Sequence, residues 1–145
     1  MTDFGLAIRN FVGPGEVPDI QGLYAYSERA EALGFESLWA WDHVLLGVEP
    51  SFPIVDSITM LGAVAARTRT IKLGTGVLVL PLRNPVVAAK SLGSLDVISG
   101  GRAVLGLGAA WNEVEHIGYG FDFPPIRERM SRCRRSSRPL GCAGL

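Results

Sequence analysis

Asp42-His43 follows the apolar run Leu38-Trp39-Ala40-Trp41 directly. Histidine changes its charge near neutral pH, and an adjacent carboxylate can orient or bias it, so the pair suits proton transfer. It suits equally an aspartate capping the next turn beside a histidine packed on the two tryptophans, and spacing alone leaves both readings open. Gly74-Thr75-Gly76 and Gly106-Leu107-Gly108 set small residues at the ends of two other apolar runs. Backbone without a Cβ admits a flat ring or a phosphate at close range, though a lone glycine pair more often marks a bulge or a tight turn. Two such pairs at one end of a sheet shift the reading toward a ligand.

Other chemistries fail on spacing. Gly106-Leu107-Gly108-Ala109-Ala110-Trp111 has tryptophan where the dinucleotide fingerprint needs its third glycine, and it lies in the fourth unit rather than the first. No Gly-Lys-Ser/Thr and no Gly-x-Ser-x-Gly occurs, which disfavours a P-loop and a nucleophile elbow. Glu113-Val114-Glu115-His116 contains a Glu-x-x-His step, but the one other histidine is His43. Di-metal bundles take two such steps and two further carboxylates, so no metal site is expected.

These residues need elements to carry them. Phe4–Ile8, Ser37–Trp41, Ile71–Leu80 and Ala103–Leu107 are short apolar runs whose starts repeat about every 33 residues. Between them lie amphipathic stretches. Asp19 can cap a helix with Ile20, Leu23, Tyr26, Ala30 and Leu33 on one face, ended by Gly34; Ile54–Ala66 and Asn84-Pro85 through Ile98 read as two more. Apolar strands alternating with helices make a parallel sheet covered by helices. Two architectures fit: an open doubly wound sheet, or an arc of a (β/α)₈ barrel, of which about 250 residues make a whole. In both, ligands bind at the carboxyl ends of the strands. Those ends are Arg9-Asn10-Phe11, Asp42-His43, Gly76–Pro81 and Gly108–Asn112.

A hydrophobic fraction of 48% and a charged fraction of 19% describe a globular domain rather than a disordered chain. Fourteen bases balance fourteen acids, which leaves no general basic face for nucleic acid. Uncharged runs reach about ten residues, half of what a membrane helix needs. The start, Met1-Thr2-Asp3-Phe4-Gly5-Leu6, lacks a secretion signal's basic and apolar regions, so a cytoplasmic protein is expected. The balance hides an asymmetry. All acids and ten bases lie within residues 1–130, whereas Ser131–Leu145 carries four arginines, no acid and both cysteines, Cys133 and Cys142. Free thiols are expected there, although a disulfide fits the spacing. This tail reads as foreign to the domain before it and is expected to be disordered.

Three segments carry a family resemblance. Glu31-Ala-Leu-Gly-Phe-Glu-Ser-Leu-Trp-Ala-Trp-Asp-His-Val44 resembles the first α–β unit of the luciferase-like monooxygenases. Leu73-Gly-Thr-Gly-Val-Leu-Val-Leu-Pro-Leu-Arg-Asn-Pro85 resembles their third strand and its turn, and Leu95-Asp-Val-Ile-Ser-Gly-Gly-Arg-Ala-Val-Leu-Gly-Leu-Gly108 their fourth, with Trp111-Asn-Glu-Val-Glu115 continuing in register. The resemblance covers about residues 3–130. It implies an α/β fold that is the N-terminal half of a TIM (β/α)₈ barrel, with about four parallel strand–helix units. It also implies an oxidoreductase that moves a hydride between a flavin-type ring and a small organic substrate, or incorporates oxygen from O2, without a metal. The Asp-His pair points to the branch using the 5-deazaflavin coenzyme F420, with FMN as the alternative.

Carried over residue by residue, the resemblance implies that Asp42 and His43 face the ring, with His43 as proton donor or acceptor. Gly76-Val77 matches the family's non-prolyl cis peptide under the ring, and Gly108, Ala109 and Ala110 offer backbone contacts to the cofactor. Sugar-phosphate dehydrogenases of the family carry a glutamate in that loop, where this chain has two alanines and Trp111. The register departs from the family at Ser131, which implies a frame change or premature stop. An arc of four strands has two open edges, which suit a homodimer. The alternative to an enzyme is accordingly an incompetent half-barrel that only dimerises or is a remnant.

Overall fold

The apolar runs form parallel strands and the amphipathic stretches form the helices that cover them. In the computed structural model, which describes residues 4–44, 46–47 and 50–138, β1 (Gly5–Ile8) leads through α1 (Ile20–Ala32) to β2 (Ser37–Ala40), then α2 (Ser57–Arg67). β3 (Lys72–Thr75) and β4 (Leu78–Val79) follow, then a 3₁₀ turn over Leu80–Leu82 and α3 (Pro85–Ser99). β5 (Ala103–Val104), β6 (Leu107–Gly108), α4 (Glu113–Gly118) and α5 (Ile126–Ser136) complete the order.

β1, β2, β3 and β5 lie side by side in that sequence, all parallel, with Leu6 opposite Leu38 and Leu38 opposite Leu73. A doubly wound sheet reverses its strand order at a switch point. Here each unit adds to the same edge, which is barrel topology. β4 pairs with β6 one layer further along, Leu78 against Leu107. The runs read as single strands, Ile71–Leu80 and Ala103–Leu107, are therefore each broken in two. The first break falls at Gly76-Val77, whose peptide bond is cis. Thr75 spans the gap: its hydroxyl donates to Gly106 O at 2.9 Å and accepts from Gly106 N at 3.1 Å. A Cβ on Gly106 would lie 2.2 Å from Thr75 O, so glycine is required for the two strands to approach. Gly74 is constrained likewise by the Trp39 ring, 2.4 Å from its ideal Cβ. Both positions serve packing rather than a ligand.

The core lies between this arc and its helices, with Ile8, Leu38 and Leu73 of the strands against Leu61 and Val64 of α2. A second cluster joins Leu78 and Leu80 to Ala88 and Leu92 of α3. Helix ends follow their capping signals. Asp19 accepts from Gly22 N at 2.9 Å, and Asn84 accepts from Val86 N and Val87 N ahead of the helix that Pro85 begins. α2 starts at Ser57 rather than Ile54, because Ile54 bridges to Phe11 and Val55 N donates to Asn10 O, leaving Asp56 to cap. Arg102 gathers the lower ends of α2, β3 and α3, donating to the carbonyls of Ala65, Thr68, Ile71 and Ser99 and to the Thr68 hydroxyl.

The tail differs from its expected disorder over its first six residues. α5 runs through the charge reversal to Ser136, since arginine is a good helix former. Cys133, a free thiol, is buried with its Sγ 3.7 Å from Gly108 O. Cys142 and the end of the tail lie outside the described residues.

Candidate active site

The carboxyl ends of the strands converge on one place. Asn10, fully buried beyond β1, holds the end of β2 at both backbone atoms of Trp41: its Nδ2 donates to Trp41 O at 2.9 Å and its Oδ1 accepts from Trp41 N at 3.1 Å. That fixes the backbone that delivers Asp42 and His43. The Asp42 side chain has no exposed surface. Its Oδ1 accepts from the Ser57 hydroxyl at 2.7 Å and from Arg83 Nη2 at 2.5 Å; its Oδ2 accepts from Val79 N at 2.8 Å and from Arg83 Nε at 3.2 Å. Arg83 also donates to Asp56 at 2.6 Å. Burial would lower the Arg83 pKa, but the two carboxylates outweigh it and raise it above its ordinary value. Burial likewise pushes Asp56 up, yet Thr59 N and Arg83 bring it below the usual range. The Asp42 carboxylate, expected to face the ring, thus spends all its acceptor capacity on holding β2, β4 and the turn after it.

His43 is placed differently. Its side chain is 9% exposed, its Nδ1 lies 3.1 Å from Glu115 Oε2, and its ring meets Trp111 edge-on at 6.0 Å between centroids. Glu115 comes from α4, is 1% exposed, and takes Val44 N on its other oxygen at 2.5 Å. Sequence reading missed this partner. Glu113 and Glu115 bracket the helix start identically in the sequence, and only the turn of α4 separates the exposed Glu113 from the buried Glu115. His116 turns inward too, with Nδ1 3.1 Å from Asn112 O and its ring against Phe123. Among the described residues no group of three or more His, Cys, Asp or Glu could hold a metal ion.

A cavity of about 310 Å³ opens beside His43. All seven residues expected at the cofactor line it: Asp42, His43, Gly76, Val77, Gly108, Ala109 and Ala110. Trp41, Val79 and Trp111 also line the wall, which among the described residues contains no lysine or arginine. Ala110 holds a left-handed conformation at φ 64°. A second cavity, about 490 Å³, lies against α5 between Leu107, Arg127 and Arg134, and shares none of these residues.

This arrangement has counterparts. The model of the luciferase-like monooxygenase family matches residues 2–134. The F420-dependent glucose-6-phosphate dehydrogenase of Amycolatopsis mediterranei is 35% identical over 117 residues, which is 79% of this chain and 34% of that protein. The 5,10-methylenetetrahydromethanopterin reductase of Methanolobus tindarius is 43% identical over 83 residues, 57% of this chain and 23% of that one. The crystal structure of the monooxygenase RslO1 from Streptomyces bottropensis superposes with a TM-score of 0.75 at 31% identity, covering 94% of this chain and 42% of its own. The chain thus spans about a third of the length of the curated relatives it matches, and its four strand–helix units are the N-terminal half of a TIM barrel. With the match running unbroken from β1 into α5, the chain belongs to the luciferase-like monooxygenase family.

Proposed function

We propose that this chain carries the ring-binding face of an F420-dependent oxidoreductase, with His43 as the group that gives or takes a proton beside the ring. The observation that carries the reading is that His43, Gly76, Val77, Gly108, Ala109 and Ala110 line one cavity. Its size is at the low end of small-molecule sites, about 300–1,000 Å³. Its wall is largely apolar, exposed backbone and two tryptophans included, which suits a planar ring. Among the described residues of that wall none is a lysine or arginine, so none of them is a charge partner for the cofactor's phosphate-bearing tail. The residues fit the ring and not the whole molecule. When bound, the deazaflavin supplies hydride donation or acceptance.

The protein's own part is positional. Asp42, with Arg83 and Ser57, fixes the loop from which His43 projects. The His43 ring, held at Nδ1, leaves Nε2 to exchange a proton with a small organic substrate. Trp111 and Trp41 flank the cavity. Oxygen incorporation remains the second chemistry open to such a site, and FMN the second ring. Two of the relatives named above are an F420-dependent dehydrogenase and a reductase, which favours hydride transfer with F420.

Titrating the purified chain with oxidised and reduced F420, and with FMN in parallel, tests this. Saturable binding of F420, weakened at least about tenfold by His43→Ala, is the expected result. No binding by a folded, monodisperse sample would overturn it. That outcome would favour the half-barrel that only dimerises, a reading supported by β1 and β5, which among the described residues pair on one side only. No described helix is long and apolar enough to cross a membrane.

A further inference from the structure

Glu115 is a buried carboxylate with a divided task. One oxygen takes the backbone N–H of Val44 at 2.5 Å, and the other lies 3.1 Å from His43 Nδ1, across 72 positions of sequence. An ionised carboxylate removed from water is costly unless donors surround it. Val44 N–H is one such donor and cannot rotate away, so Oε1 is fixed as an acceptor. An ionised carboxylate oxygen can only accept, so His43 Nδ1, 3.1 Å from Oε2, is placed to donate to it. A neutral imidazole that donates from Nδ1 keeps its lone pair on Nε2.

We infer that Glu115 is the positioning residue of the site: it holds His43 in the Nδ1–H tautomer and thereby makes Nε2 a proton acceptor toward the cavity. The inference rests on the ring-site reading for its consequence but not for its test. The Trp111 ring meets the imidazole edge-on. Both contacts come from the segment that also carries Ala109 and Ala110, so the loop that lines the cavity also sets the protonation pattern of its base. The complementary variant is Glu115→Gln. Its amide oxygen can keep the Val44 N–H, which turns its NH2 toward Nδ1 and obliges that nitrogen to accept. The proton then moves to Nε2, and the acceptor toward the cavity becomes a donor.

The test is a long-range ¹H–¹⁵N correlation spectrum of the histidine rings in the full chain, at mildly alkaline pH where an ordinary imidazole is neutral. His43→Asn assigns the signals. The expected result is a protonated-type ¹⁵N resonance at Nδ1 in the parent, and at Nε2 in Glu115→Gln. A parent with its proton on Nε2 overturns the inference, as does a folded Glu115→Gln with the pattern unchanged. If that variant does not fold, the parent spectrum decides alone. None of these readings requires F420 to bind, so a failed cofactor titration and a failed tautomer assignment are distinct results.

Discussion

Asp42→Asn separates anchoring from chemistry. The substitution keeps the shape of the side chain and removes its charge. Turned one way, the amide places its NH2 against Arg83 Nη2; turned the other, against Val79 N and Arg83 Nε. The Ser57 hydroxyl can reverse its role, but the backbone amide and the guanidinium are donors only. A hydrogen bond to a charged group contributes about 1.5–3 kcal/mol, and breaking a buried ion pair costs about 3–5 kcal/mol. Arg83 keeps Asp56 at 2.6 Å and is 21% exposed, which reduces the loss. We expect about 3 kcal/mol of destabilisation, near the lower bound for a buried pair. For a domain of this size that lowers Tm by about 10 °C. Urea unfolding followed by circular dichroism measures it, with Asp56→Asn as the reference. Asp56 is 40% exposed and asparagine caps helices as well as aspartate does, so that change should cost under about 1 kcal/mol. If Asp42→Asn costs no more than Asp56→Asn, the carboxylate is not the anchor described, and its expected place at the ring regains ground.

Three further outcomes follow from the structure. Burial raises the Glu31 pKa, but the backbone amides of Thr70, Ile71 and Arg69 and the Thr70 hydroxyl outweigh it and bring it to about 2 from 4.5. The stabilisation is therefore complete above about pH 4.5 and lost as pH falls toward 2; in Glu31→Gln the urea midpoint should be lower at neutral pH and fall less steeply with acid over that range. Arg102→Lys should destabilise by about 2 kcal/mol in chemical unfolding, because one ammonium cannot reach acceptors spread over four residues. Ala110→Gly relieves a left-handed alanine, a gain of about 1–2 kcal/mol less about 0.4–1 kcal/mol for the freer unfolded chain, so Tm should rise by a few degrees.

Much of the fold is legible because its signals are local. Asp19 and Asn84 cap the helices that follow them in the sequence, and the strands begin within a residue or so of where the apolar runs begin. The breaks at Gly76-Val77 and after Val104 are hidden because continuous apolar character does not record where pairing shifts to a neighbouring layer. α5 is hidden for a different reason. Its arginines mark a charge reversal in sequence, whereas helix formation depends on side chains that tolerate the helix and on Cys133 packing inward. At the site, the strand ends mark the segments, and the family resemblance picks out within them the seven residues that line one cavity. The roles were not legible in the same way. Asp42 and His43 are adjacent in sequence, but successive side chains diverge, one to Arg83 and the other to Glu115. A pairing over 72 positions leaves no periodic trace.

The central claim is that the cavity beside His43 receives the ring. Backbone amide shifts of the ¹⁵N-labelled chain, recorded while F420 is added, test it most directly. The account predicts saturable changes concentrated at His43, Gly76, Val77, Gly108, Ala109 and Ala110, with α5 unaffected around Arg127 and Arg134. Changes centred on the α5 cavity, or none at all in a folded sample, would contradict it.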